Sequence, residues 1–144
     1  MGIATHLGPW LLGTVKNTTG TTAGTVRNMG ATVVIQNAPM VGGATASIML
    51  PAGSMIHAVT AYVTTGAAGT PTVSVGSTGV GTLSTAAGFN TLSVTAGAVG
   101  TLANVGSSDI TISVPVTAGA AGTLAVTYVV RNADGTYNPT AQTA

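Results

Sequence analysis

Glycine, proline and clustered threonine occur throughout this sequence. Because they interrupt the spacing of an amphipathic helix, they constrain the fold more than any other feature. An amphipathic helix needs apolar residues three and four apart over roughly 11 to 18 residues. Nowhere do apolar residues keep that spacing without interruption by glycine, proline or clustered threonine. Between the breakers lie short β-branched runs, which predict strands over residues 31–37, 45–50, 54–64, 71–76, 91–95, 109–116 and 123–131. We therefore predict an all-β fold: an antiparallel β-sandwich or jelly-roll-like body with an extended N-terminal arm and almost no helix.

The longest predicted strand, residues 54–64, is apolar on both faces. Because side chains alternate along a strand, one face would carry Met55, His57, Val59, Ala61 and Val63, and the other Ile56, Ala58, Thr60, Tyr62 and Thr64. This pattern predicts a central strand, with one face in the core of the sandwich and the other partly covered.

The chain is almost uncharged, which excludes several classes of function. Only 3% of its 144 residues are charged and it has no cysteine, whereas about a quarter of an ordinary soluble domain is charged. Lys16, Arg27 and Arg131 are too few to neutralise a run of phosphates, so we expect no nucleic-acid partner. No apolar run approaches the roughly 18 residues of a membrane span, and we expect no membrane partner. A neutral surface lacks charge repulsion and therefore suits a protein that packs beside copies of itself.

The first 30 residues differ from the rest of the chain. They contain a nearly repeated phrase, Gly-Thr-Val followed by a basic residue and asparagine, at residues 13–17 and 24–28, but no long strand. We predict that residues 1–43 form an N-terminal arm and the first strand leading into the sandwich. Residues 44–144 would form the body, with a short C-terminal tail.

The arm carries the residues that we select as candidates for binding a partner. Trp10, with Leu11 and Leu12 beside it, is the only tryptophan, and it would either plug the protein's own sandwich or anchor the arm in another subunit. Lys16 and Arg27 would either protect strand edges from stray pairing or meet acidic groups on a partner.

Acid and base side chains are too few to suggest an enzyme. They are Asp109, Asp134, His6 and His57, with no glutamate, and no Gly-x-Ser-x-Gly elbow accompanies them. We expect Asp134 to lie in a turn, Asp109 to cap the loop at residues 106–108, and His57 to be packed or half-exposed. No spacing typical of a metal site links the four residues, so we predict no catalysis, no metal and no cofactor.

Parts of the sequence resemble small β-sandwich proteins that decorate the heads of tailed bacteriophages, also called cement proteins. The resemblance lies in residues 50–59, 63–65, 69–76 and 122–131, and it spans roughly residues 48–131. It implies a virion protein on the capsid exterior, assembled in the host cytoplasm, often trimeric, and bound to the major capsid protein. On this interpretation Trp10, Leu11, Leu12, Lys16 and Arg27 are the capsid-binding residues.

Two other functions are compatible with a threonine-rich β protein. One is a receptor- or glycan-binding module of a phage fibre or tail, although the aromatic residues Trp10, Tyr62, Phe89, Tyr128 and Tyr137 are scattered along the chain. The other is ice binding, which needs ranks of Thr-x-Thr in a fixed register. Thr70-Pro71-Thr72 is nearly alone in that respect.

Overall fold

A computed structural model describes residues 33–130 of the chain. Within this range the structure contains nine strands and one short helix: β1 (Val33–Val41), β2 (Thr45–Leu50), β3 (Met55–Thr65), β4 (Thr72–Val75), β5 (Thr78–Thr82), β6 (Gly88–Thr91), β7 (Ser93–Val94), α1 (Val99–Ala103), β8 (Ile110–Pro115) and β9 (Ala121–Val129). The prediction of an all-β fold is confirmed, and α1 is only five residues long.

The strands form two antiparallel sheets that pack face to face. The first has the order β1-β9-β3-β6, and the second has the order β2-β8-β4-β5-β7. The chain changes sheet at most connections, and eight of the strands follow the order of a jelly roll, to which β7 is an addition. In the four-stranded sheet the first and last described strands are neighbours, since Val33 pairs with Val129.

The core consists almost entirely of aliphatic side chains. Its largest fully buried members are Met40, Leu50, Leu83, Ile112 and Leu124. Tyr128 is the one aromatic residue of the described core, and its hydroxyl donates a 2.7 Å hydrogen bond to Oε1 of Gln36. Burial raises the pKa of this hydroxyl above the ordinary tyrosine value.

The first strand continues past the point at which the sequence predicts its end. The prediction stops at Asn37, before Ala38 and Pro39, whereas β1 runs to Val41 and Pro39 pairs with Thr123. Because β1 is an edge strand, a residue without an N–H group can be accommodated there.

The strict alternation predicted for β3 is wrong at its beginning. The register against β9 shifts between Ile56 and Ala58, so that a β-bulge lies at His57. Ile56 is therefore buried before the bulge, as are Val59, Ala61 and Val63 after it, whereas His57 and Ala58 are exposed. His57, which strict alternation would place on the same face as Val59, Ala61 and Val63, is therefore exposed while those three are buried.

The glycine-rich middle of the chain holds two strands that the sequence does not predict, β5 and β6. β5 alternates the β-branched residues Thr78, Val80 and Thr82 with glycines, which weaken a strand signal, whereas β6 has only one β-branched residue, Thr91. Gly81 in β5 also allows a close approach, because a Cβ atom there would lie 2.3 Å from the backbone oxygen of Ser93. Of the strand predicted over residues 91–95, Thr91 lies in β6 and only Ser93 and Val94 form β7.

Four connections meet at one end of the sandwich, and Thr85 ties three of them together. Its side chain is fully buried. Its hydroxyl lies 2.8 Å from the carbonyl oxygen of Ala67, 3.1 Å from that of Gly69 and 2.9 Å from Oγ1 of Thr117. These partners belong to the β3–β4 and β8–β9 connections, and Thr85 itself belongs to the β5–β6 connection. A shared polar network within the protein therefore holds this end of the sandwich together.

At the opposite end, Asp109 fastens the connection between β2 and β3. Oδ1 of Asp109 accepts a 3.0 Å hydrogen bond from the backbone N–H of Ala52. The N–H of Val105 also donates to the carbonyl oxygen of Ser54 at 3.1 Å. Asp109 therefore caps the turn at residues 51–53, and not the loop at residues 106–108 as the sequence suggests.

Candidate interaction surface

The predicted capsid-binding residues are not part of the described structure. Trp10, Leu11, Leu12, Lys16 and Arg27 all lie outside residues 33–130, as do His6, Arg131, Asp134 and Tyr137. Their roles remain predictions. The same holds for the arm itself, apart from β1 at its end, which pairs with β9 along its whole length.

Residues 33–130 do not bring together side chains that could form a catalytic or metal-binding site. Between residues 33 and 130, Asp109 is the single carboxylate and His57 the single histidine, and no cluster of three or more histidine, cysteine, aspartate or glutamate residues could hold a metal ion. Asp109 is hydrogen-bonded to the turn at Ala52. None of the helices in this range has the length and apolar character required to cross a membrane.

The outer face of the four-stranded sheet is the most unusual surface of the described structure. We call it the apolar face, and define it by the outward-pointing residues of β1, β9, β3 and β6. Its large exposed members are Val33, Ile35, Val41, Tyr62 and Phe89, of which Ile35 is 64% and Phe89 60% exposed. Large apolar side chains gathered on one exposed surface mark an interaction site.

The strand register arranges the apolar face in rows across the sheet. Pro39 pairs with Thr123, Thr123 with Tyr62, and Tyr62 with Phe89. The rings of Tyr62 and Phe89 lie edge to face, with their centroids 5.0 Å apart. The sequence gives no sign of this contact, because it depends on the pairing of β3 with the unpredicted strand β6.

Neither outer face carries a charged residue in its strands, but the outer face of the second sheet is less apolar. There the outward-pointing positions are mainly hydroxyl-bearing, with Ser47 opposite Ser113 and Ser113 opposite Ser74. Met49, at 60% exposure, is a large apolar residue among them. The sequence predicts that the second face of β3 is partly covered. No described residue covers Tyr62 or Thr64, both of which are exposed.

A small groove lies beside the first half of β3. Strand β6 pairs with β3 only over Thr60 to Val63, and the chain then passes on to β7 and α1. The groove has a volume of about 180 Å³ and is lined by residues that include Ile56, His57, Val59, Leu92, Val94 and Leu102. It is smaller than the roughly 300 to 1,000 Å³ of ordinary small-molecule sites. It could hold an apolar side chain more readily than a whole substrate.

No protein-family model matches this chain, and no curated protein and no solved structure matches it either. The function must therefore be inferred from the surfaces of the sandwich and from the sequence.

Proposed function

We propose that this chain is a structural protein without catalytic activity that decorates the outer surface of a bacteriophage capsid by binding the major capsid protein. The observation that carries the structural role in this proposal is the apolar face, which combines large exposed side chains with a complete absence of charge. Such a surface on a small sandwich is typical of a protein that works by packing against other proteins.

Two further observations support a structural role over an enzymatic one. The single described carboxylate, Asp109, holds a turn together, and His57 lies on a bulge with no described acidic or nucleophilic partner. The jelly-roll strand order is also used by viral capsid domains, although lectin domains use it as well.

In this proposal the protein acts as a homotrimer on the virion, and the N-terminal arm contacts the capsid. Trp10, Leu11 and Leu12 would supply the apolar anchor, and Lys16 and Arg27 would interact with acidic groups on the capsid surface. Assembly would take place in the host cytoplasm.

The test is binding of the purified full-length chain to phage heads that lack it. We expect the chain to co-sediment with heads and to give density on their exterior in cryo-electron microscopy. Deleting residues 1–29 should leave a folded body that no longer binds. Trp10→Ala should weaken binding by about 2 kcal/mol or more, as hot-spot truncations do. Replacing both Lys16 and Arg27 by alanine should mainly slow association. Failure of the full-length chain to bind heads would refute the proposal.

A second function, binding of a receptor or glycan by a phage fibre or tail, is favoured by one observation. Tyr62 and Phe89 form an exposed aromatic pair, and aromatic rings supply the apolar part of many small-molecule sites. A glycan array would decide between the two functions. Binding to a glycan that is lost in Phe89→Ala, together with no binding to heads, would support this second function.

A further inference from the structure

We infer that the apolar face is the surface through which copies of this chain bind one another. The inference deepens the proposed function, on which it rests for the setting of a homotrimer, by assigning the surface that holds the copies together. It depends on three properties of the face: its charge, its relief and its area.

The absence of charge favours a second copy over an unlike partner. Around a symmetry axis a surface meets copies of itself, so that each charged residue near the axis would meet its own equivalent. The rows of the apolar face contain no charged residue. The row of Pro39, Thr123, Tyr62 and Phe89 is an example. An unlike partner is commonly selected and oriented by complementary charges, and this face offers none for such a partner to recognise.

The shape of the apolar face allows the faces of two copies to fit together. Small side chains occupy the middle strands, including Ala125 and Thr127 on β9 and Ala58 on β3. Larger side chains stand at the two sides, with Ile35 on β1 and the Tyr62–Phe89 pair next to the other edge. A shallow trough therefore runs between two ridges. In the proposed trimer, a ridge of one copy lies in the trough of the next.

The area of the face is sufficient for a weak contact between copies. Strands are about 4.8 Å apart and rise about 3.3 Å per residue, so three strands of nine or more residues and the short β6 span roughly 500 Å² in projection. In a trimer each face is divided between two neighbours, so each contact buries about 500 Å² from its two partners together, the size of a weak interface that assembles at high protein concentration.

The experiment compares charged substitutions on the two outer faces of the full-length chain. Ile35→Asp and Phe89→Asp would place a like charge on the apolar face of every copy. The matched controls, Ser47→Asp and Thr72→Asp, place the same charge at exposed positions of the second sheet. Molar mass is measured by light scattering and sedimentation over a concentration series, and circular dichroism and melting temperature report folding.

We expect the parent chain and both controls to be oligomeric, and each apolar-face variant to have a dissociation constant raised by roughly 30-fold or more. If an aspartate variant does not fold, Ile35→Ser and Phe89→Ser replace it, since serine is common on the second sheet. A monomeric parent at the highest soluble concentration would overturn the inference, as would face variants that assemble like the controls. Head binding is measured separately on the same proteins. An oligomer that depends on the apolar face but does not bind heads would leave the inference standing and refute the proposed function.

Discussion

The hydroxyl of Thr85 is the single polar group on which we expect the stability of the sandwich to depend most. Replacing Thr85 by valine keeps the volume and the β-branch but removes the hydroxyl. The carbonyl oxygen of Ala67 then loses a 2.8 Å hydrogen bond, and Oγ1 of Thr117 loses a 2.9 Å one. The carbonyl of Gly69 keeps its 2.9 Å bond from the backbone N–H of residue 85.

The loss in free energy of unfolding depends on whether the Ala67 carbonyl oxygen and Oγ1 of Thr117 can form other hydrogen bonds. Thr117 is half-buried and can turn its hydroxyl to water, so most of the loss comes from the Ala67 carbonyl beside a fully buried position. A lost hydrogen bond and an unsatisfied buried acceptor together cost about 2 kcal/mol. In a small domain each kcal/mol shifts the melting temperature by about 4–8 °C, so the variant should melt roughly 8–16 °C lower.

Thermal and denaturant unfolding of Thr85→Val measure this loss directly. The matched control is Thr82→Val, at an exposed position of β5, which should change the free energy of unfolding by less than about 0.5 kcal/mol. Thr117→Val and the double variant complete a cycle, in which the two changes should be less than additive because they share one hydrogen bond. A Thr85→Val protein as stable as the control would refute the reasoning.

Two further predictions concern close packing and pH. In Gly122→Ala the new Cβ atom would lie 2.1 Å from the backbone oxygen of Tyr62, so we expect a loss of about 3 kcal/mol or failure to fold, whereas Gly100→Ala, with open space around it, should be stabilising or neutral in the same unfolding assay. Tyr128→Phe removes the hydrogen bond to Gln36 and should cost about 1 kcal/mol at neutral pH. Because burial raises the pKa of Tyr128, the stability that depends on its protonated form is present below the ordinary tyrosine pKa and is lost as pH rises through the raised value. Measured by denaturant unfolding at alkaline pH, the free energy of unfolding of the parent should therefore fall more steeply with rising pH than that of the variant.

The sequence predicts the parts of the fold that depend on local chemistry. The β-branched runs locate β1 to β4, β8 and β9. The lack of helical spacing also predicts correctly that helix is almost absent between residues 33 and 130. These signals are readable because each strand has to supply its own apolar inner face.

What the sequence does not predict depends on partners distant in the chain. The bulge at His57 exists only in the register of β3 against β9, and Pro39 fits within β1 only because that strand lies at an edge. β6 lacks a β-branched pattern of its own, so the contact between Tyr62 and Phe89 could not be foreseen. The apolar face is assembled by the same pairings, which is why no local motif announces it.

The position of β9 has a consequence for biosynthesis. β9 lies between β1 and β3, and it is the last described strand to leave the ribosome, whereas β1 is the first. Until β9 emerges, β1 and β3 lack their shared neighbour and the four-stranded sheet cannot close. Pairings between residues so far apart in the chain fold slowly, and their unpaired edges are prone to aggregation meanwhile. Each nascent chain should therefore complete its own sheet before it presents a surface on which other copies can assemble.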